Sequence, residues 1–259
     1  MINNRNSLIH FSKLANKILN NETRYKTNKA IIREVFTMSN PNKVQFRLTV
    51  IDSYYSTQMS KRLYGFEDIA NELVKYSDDA LKLEIAKFLQ KPTEGIIKEL
   101  FNKNYGFDKE AKNTKKAISL VSKYLYFLSN CQFPIYDTLG KVSYNLLKDN
   151  KYITSKALTD DNYFELMIAL NQSSTIKDFE KLDNLLWLLG KIKEGSFSIL
   201  MDKTKYETIV KQVDFSKAAK SQEKDKAIRE YIKDNYKTNN LFSPIEKEYL
   251  EFAFTLNEL

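Results

Sequence analysis

Cysteine occurs once in this chain, at Cys131. A single thiol closes no intrachain disulfide. Without a second sulfur or a C-x-x-C pair, it builds neither a structural zinc site nor an iron–sulfur cluster. Histidine also occurs once, at His10, which excludes His-rich metal sites and leaves Ser-His-Asp nucleophile activation to that one residue. The six glycines are too scattered for G-x-G-x-x-G or G-x-x-x-x-G-K-[ST], so no loop is expected to cradle a nucleotide phosphate. No apolar run reaches the roughly 18 residues that a membrane-spanning helix needs. The first residues carry no signal-peptide h-region. The expectations are no cofactor, no membrane partner and, for a lone thiol, a cytoplasmic location.

What the chain does have is lysine, aromatic side chains and helical periodicity. Lys+Arg number 41 against 33 Asp+Glu, a formal net charge of +8. Arginine accounts for only six of the 41, at positions 5, 24, 33, 47, 62 and 229. Lysine attracts phosphate diffusely and does not read bases with a bidentate fork, so the charge by itself favours nucleic acid only weakly over a solvated surface. With 259 residues and 42% hydrophobic content, the chain can bury a substantial core as one large or two small domains.

Apolar residues recur at helical spacing nearly everywhere. Leu8, Phe11, Leu14, Ala15, Ile18 and Leu19 mark one face, and Ala30, Ile31, Val35 and Phe36 mark a second helix closed by Asn40-Pro41. Over 43–58, Val44, Phe46, Leu48, Val50, Ile51, Tyr54 and Tyr55 nearly circle the axis, which predicts a buried central helix. Helices are predicted at 66–76, at 80–89 behind Ser77-Asp78-Asp79, at 93–103 with Pro92 in its first turn, and at 109–128 and 138–148. The second half supplies 161–170, 176–190, 204–212, 223–236 and 244–257. Ser243-Pro244-Ile245-Glu246 opens the last with an N-cap serine, a proline at N1 and a glutamate at N3. The stretch 214–228 is the least apolar and reads as a mobile loop. Trp187 reads as core and His10 as a satisfied structural histidine. The fold class is all-α. A helical core is expected over 1–148, with its motif-bearing part at 44–148, and 149–259 is expected to pack on it as a second lobe together with 1–43.

The stretch most suggestive of chemistry is Phe133-Pro134-Ile135-Tyr136-Asp137-Thr138 and the helix after it. Proline biases its predecessor to extended backbone, so the chain arrives stretched and delivers an acid at a helix start. A carboxylate there gains from free N–H groups and from the helix dipole. Read alone, Asp137 is an N-cap.

Two earlier segments set it in a wider pattern. One runs Leu48-Thr49-Val50-Ile51-Asp52-Ser53-Tyr54-Tyr55-Ser56-Thr57-Gln58, and the other runs Tyr105-Gly106-Phe107-Asp108-Lys109-Glu110-Ala111-Lys112-Asn113-Thr114-Lys115-Lys116. In this order the three segments resemble the helix-hairpin-helix superfamily of DNA glycosylases, the group of endonuclease III, MutY and the 8-oxoguanine glycosylases. The first is similar to the family's early buried helix ending in S-x-Q or T-Q. The second is similar to its glycine–aromatic turn and A-x-N-x-x-K helix start, and the third to P-[IV]-[LV]-D, which holds the catalytic aspartate.

The resemblance implies a two-lobed helical bundle with a cleft between the lobes, duplex DNA as partner, and cleavage of the N-glycosidic bond of a flipped base. Asp137 would stabilise the positive charge that builds on the sugar and would orient water. Tyr54, Tyr55, Tyr124 and Tyr136 would wall the base site, and Gln58 would fill the void left in the stack. Core packing at helical spacing is the competing reading of those tyrosines.

The chain departs from the family where the L-P-G-[VI]-G hairpin belongs, because 113–128 contains no glycine. Counted back from Asp137, the family's nucleophile position falls on Ser119, a serine as in the MutY type. Lys123 competes for that role, against its ordinary reading as a solvated helix lysine. The pattern favours a monofunctional glycosylase, or a silent relative, over a lyase. Lys112, Lys115, Lys116 and Lys123 are expected to share one basic helix face toward phosphates, with Lys141 and Lys148 after the acid. The alternative is a non-catalytic helical module that binds nucleic acid or protein on the same scaffold.

Overall fold

The computed structural model describes residues 4–21, 23–39, 42–55, 57, 59–108, 110, 112–173, 176–216 and 220–257. The fold is all-α. Among the described residues the first helices are α1 (Asn4–Asn21), α2 (Thr23–Thr37), α3 (Lys43–Tyr55), α4 (Gly65–Leu73), α5 (Asp78–Gln90) and α6 (Ile96–Asn102). A small antiparallel hairpin follows, β1 (Asn104–Phe107) and β2 (Thr114–Lys116), and then α7 (Ile118–Leu128) and α8 (Thr138–Asp149). The chain ends with α9 (Tyr163–Ser173), α10 (Phe179–Lys193), α11 (Lys203–Val210), α12 (Ser221–Asn235) and α13 (Pro244–Asn257).

The chain divides into two units. One comprises Met1–Lys26, Thr138–Asp160 and Leu170–Leu259, and the other comprises Thr27–Asp137 and Asp161–Ala169. The second unit is therefore built from two segments that interrupt the chain of the first, and Asp137 is the last residue of the longer one.

In the first unit α10 is the hub. Its run of Leu182, Leu185, Leu186, Leu188, Leu189 and Ile192 is buried, and α1, α8 and α13 pack around it. Gly190 lets α8 lie close, since a Cβ there would meet Leu139 Cβ at 2.8 Å, and the Ser143 hydroxyl donates to Leu186 O at 2.7 Å. Between α1 and α10 the Asn184 amide donates to Asn16 Oδ1 at 2.8 Å and its oxygen accepts the Tyr25 hydroxyl. Phe11 stacks on Phe252 at 3.7 Å between α1 and α13, and beside it exposed His10 bonds Glu248 Oε1 at 2.6 Å. The expected capping box at Ser243 forms: Ser243 N donates to Glu246 Oε2 at 2.7 Å, and Glu246 N donates to Ser243 Oγ at 3.3 Å.

In the second unit the central helix is α7, not α3. Leu120 to Leu128 are buried without a break. By contrast α3 buries Val44, Leu48 and Ile51 on one side while Phe46 and Tyr54 are 40% and 38% exposed, so the predicted all-round burial of 43–58 fails. Buried Asp52 explains where α3 stops. Its Oδ1 accepts Met59 N at 3.0 Å and the Thr57 hydroxyl, folding the chain back after the last turn. The Ser77 cap of α5 forms as expected, with Ala80 N donating to Ser77 Oγ at 3.1 Å.

Other boundaries move. Pro92 lies outside α6, which opens after Gly95 with φ +89°. The stretch 214–228, read as a loop, is helical from Ser221 in α12, as the overlapping helix predicted at 223–236 requires. Trp187 is half-buried against Tyr25 at 4.9 Å, not in the core.

The largest correction is at 109–128. It is not one helix, because the chain turns back over 104–116 into the hairpin. Asn104 pairs with Lys116, Tyr105 with Lys115 and Phe107 with Thr114, with a bulge at Gly106. Asp108 closes the turn, its carboxylate accepting Glu110 N at 3.2 Å, Lys112 N at 3.0 Å and the Asn113 amide at 2.9 Å. Gly106 has φ +62°, and a Cβ on it would fall 2.6 Å from Leu63 O and 2.7 Å from Gly65 Cα. Gly106→Ala is expected to cost about 2 kcal/mol or more of stability, through forbidden φ and backbone collision together. A urea denaturation midpoint within error of the parent's would refute this account of the bulge.

Candidate active site

A helix buried all round leaves its polar side chains no water, so each on α7 needs a partner inside. The Ser122 hydroxyl accepts Tyr136 N–H at 2.9 Å and donates to Ser119 O at 3.1 Å. Lys123, 4% exposed, donates to Ser119 Oγ at 2.6 Å and lies 5.3 Å from the centre of the Tyr55 ring. The Tyr124 hydroxyl accepts Arg47 Nη1 at 3.3 Å, and the Tyr126 hydroxyl accepts Lys29 Nζ at 3.1 Å.

Arg47 is itself 2% exposed and reaches further. It donates to both Asp78 oxygens at 3.1 Å and to Phe36 O at 2.7 Å, with its guanidinium 4.6 Å from the Phe36 ring centre. Burial pushes the Asp78 carboxyl up, but the Lys43 hydrogen bond at 3.0 Å and the Arg47 charge together outweigh it, and the net shift is downward.

The extended strap carrying Asp137 is fixed on two sides. Besides the Ser122 bond, the Tyr163 hydroxyl donates to Ile135 O at 2.7 Å and accepts Asp137 N–H at 3.3 Å. The Tyr136 ring lies 4.7 Å from that of Tyr163. Phe133 anchors the strap's start in an aromatic cluster, 5.7 Å from Phe88 and 5.8 Å from Phe164, with Phe164 stacked on Phe101 at 4.4 Å. Asp137 ends the strap half-buried, immediately before α8. The acid thus sits on backbone that has little freedom to move.

Compared with protein-family models, curated proteins and solved structures, the chain matches none.

The predicted site residues distribute unevenly. Ser119, Lys123 and Tyr55 come together, and Tyr136 and Asp137 share the strap tied to α7. Lys123 is not the solvated lysine of its ordinary reading; α7 carries it inside, and Ser119 Oγ and the Tyr55 ring face replace its water. Tyr124 walls no base site among the described residues. It is 0% exposed, packed 5.2 Å from Phe36, and burial raises its pKa. Tyr54 is exposed on α3. Gln58 lies outside the described residues.

The basic helix face does not exist as drawn. Lys112 stands in the hairpin turn paired with Glu110 at 2.9 Å, Lys115 and Lys116 are on β2, and Lys123 is buried. Lys141, on α8, pairs with Asp160 at 2.7 Å. Sequence reading missed Ser122 and Tyr163. Ser122 had a signal, a hydroxyl within the apolar run L-V-S-K-Y-L-Y-F-L, but Tyr163 had none, because only tertiary structure brings it to Ile135.

Ser122→Ala should leave the Tyr136 amide without its acceptor, costing about 1–3 kcal/mol and speeding hydrogen exchange at Tyr136. An unchanged exchange rate would remove Ser122 from the clamp. Asp78 should link stability to pH. A carboxyl depressed in the fold stabilises above its unfolded pKa of about 3.9, and that contribution is lost as pH falls through the folded value. The stability gap between the parent and Asp78→Asn should therefore be full at pH 6 and shrink below about pH 4. A pH-independent gap in urea melts would contradict the assignment.

Proposed function

We propose that the protein is a DNA glycosylase-like hydrolase, in which Asp137 assists water in cleaving the N-glycosidic bond of a damaged or modified base. The observation that carries this reading is the clamp on Asp137. A half-buried carboxylate ends a strap whose flanking amides and carbonyl are bound by Ser122 and Tyr163. A charge fixed before the reaction starts stabilises developing positive charge at no cost in reorganisation. As the C–N bond lengthens, its electron pair leaves with the base and the sugar becomes oxocarbenium-like. Water then bonds to the anomeric carbon and its proton passes to Asp137.

The Ser119–Lys123 pair supports the hydrolytic form of the reaction. A Schiff-base nucleophile must be a neutral, accessible amine. Lys123 is buried with its Nζ donating to Ser119 Oγ, so a strand-cleaving lyase is disfavoured.

Duplexes carrying a panel of damaged and modified bases, incubated with the protein and then treated with alkali, test the proposal. At least one duplex should yield abasic sites. Asp137→Asn should slow release by about 100-fold or more while leaving DNA affinity equal or higher and stability within about 1 kcal/mol. No release from any duplex would end the hydrolase reading. Equal release by Asp137→Asn would end the role of Asp137, and a borohydride-trapped adduct would shift the chemistry to Lys123.

A further inference from the structure

The hairpin supports a surface that the proposed chemistry does not use. Leu63 forms an isolated bridge to β1, Leu63 N donating to Phe107 O at 3.1 Å and Phe107 N to Leu63 O at 2.9 Å. Arg62 is tied across to β2, its Nη1 donating to Lys115 O at 3.1 Å and Lys116 O at 3.2 Å. Beneath this, Gly106 and Gly65 meet backbone to backbone, and the Asp68 carboxylate accepts Gly106 N–H at 2.8 Å. The result is a rigid knuckle whose outer side is apolar. Leu63 is 47% exposed, Tyr64 65% and Phe107 39%.

Tyr64 is the unusual member. It holds φ 59° and ψ 7°, a left-handed conformation that costs a tyrosine energy and that glycine adopts freely. Asn130, Cys131, Lys151 and Lys177 also hold positive φ, and Tyr64 O accepts Asp68 N–H at 2.9 Å to open α4, but Tyr64 is the one aromatic among the five and is 65% exposed.

Lysines stand along the rim. Lys61, Lys115 and Lys116 are exposed, and Lys116 meets the amide oxygen of Asn102 at 3.1 Å, not an acid. Of the nearby acids, Asp68 and Asp108 keep their charge but turn it to the N–H groups already named, Glu110 pairs with Lys112, and Glu67 is exposed in the first turn of α4.

We propose that this knuckle is a nucleic-acid contact, in which Tyr64 stacks on an unpaired base while Lys115 and Lys116 hold the flanking phosphates. An exposed aromatic ring beside lysines is the combination that binds single strands, since every base has a face to stack and every nucleotide a phosphate. A protein ligand for an apolar patch has no comparable use for the lysines. The inference shares only its partner class with the glycosylase reading and does not require that any base be released.

The test is anisotropy of the full chain with a fluorescein-labelled single strand of about 15 nucleotides and with its paired duplex, at several salt concentrations. The single strand should bind more tightly than the duplex. Tyr64→Ala should weaken single-strand binding by about tenfold, while Tyr64→Phe, which keeps the ring, should stay within about twofold. Lys115→Gln with Lys116→Gln should reduce the slope of log K against log salt by about 0.7 for each lysine removed.

Tyr64→Gly separates function from fold. By relieving the left-handed strain it should raise the melting temperature while weakening binding as much as Tyr64→Ala. Loss of stability and binding together would mean that Tyr64 is structural, and full binding by Tyr64→Ala would overturn the stacking role. Absence of salt-dependent binding to either probe would overturn the surface itself, whether or not Asp137 proves catalytic.

Discussion

Inside the second unit a guanidinium has no water to turn to, and the helices around Arg47 supply partners for its two terminal nitrogens while Nε is buried without one. The Nη donors end on a carbonyl in the last turn of α2, the acid that opens α5 and the hydroxyl of Tyr124 on α7, while the side chain's carbons remain on α3. Removing Asp78 would strand buried Arg47 where an uncompensated ion costs several kcal/mol, whereas Asp78, partly exposed, would keep Lys43 if Arg47 were lost. The pair therefore acts less as glue than as a registration mark, joining α2, α3, α5 and α7 through one side chain. Since α7 carries Ser119, Ser122 and Lys123, the same constraint fixes the clamp on the strap.

The positive charge of the chain takes on a different meaning from this interior. Lys29, Arg47 and Lys123 are buried in the second unit, each donating to a named oxygen on α7 or beside it. Many of the surface lysines are paired along their own helices, as in Lys75 with Glu72, Lys82 with Asp79 and Lys87 with Glu84. Such exposed pairs contribute little to stability, but they do neutralise the local field. A net charge of +8 is thus not a uniform coat, and a solvated-face reading of any one lysine fails where the helix beneath it is buried all round. The hairpin is where exposed lysines coincide with exposed aromatic surface.

The legibility of the sequence followed the range of the interactions. Helix number and order, the Ser77 cap and the Ser243–Glu246 box were readable because each depends on residues within four positions of one another. The hairpin at 104–116 was not, because its lysine-rich composition resembles a helix surface. What overrides that is a bulge at Gly106, an Asp108 turn and the bridge to distant Leu63. The central role passed from α3 to α7 for a similar reason. Periodicity counts apolar residues, whereas burial here depends on tertiary partners for Ser122, Lys123, Tyr124 and Tyr126 that sequence spacing does not reveal. Asp137 at a helix start was legible. Its clamp was only half so, because Ser122 lies in a recognisable apolar run and Tyr163 arrives from a remote segment.

The pair Tyr64-Gly65 shows stability yielding to another demand. The left-handed backbone falls on the tyrosine, while the glycine beside it opens α4 with no positive φ of its own. A Cβ on Gly65 would meet the movable Met59 Cε at 2.7 Å, and it is at Gly106 that a Cβ would run into the Gly65 backbone. A chain optimised for stability alone would use glycine at both positions, since the first would then cost nothing in strain and bury nothing in compensation. Instead a large, two-thirds-exposed ring is held where the fold gains least from it. Strain retained at an exposed aromatic, on a support that two glycines and a half-buried acid hold together, is the arrangement expected of a contact residue rather than a packing residue.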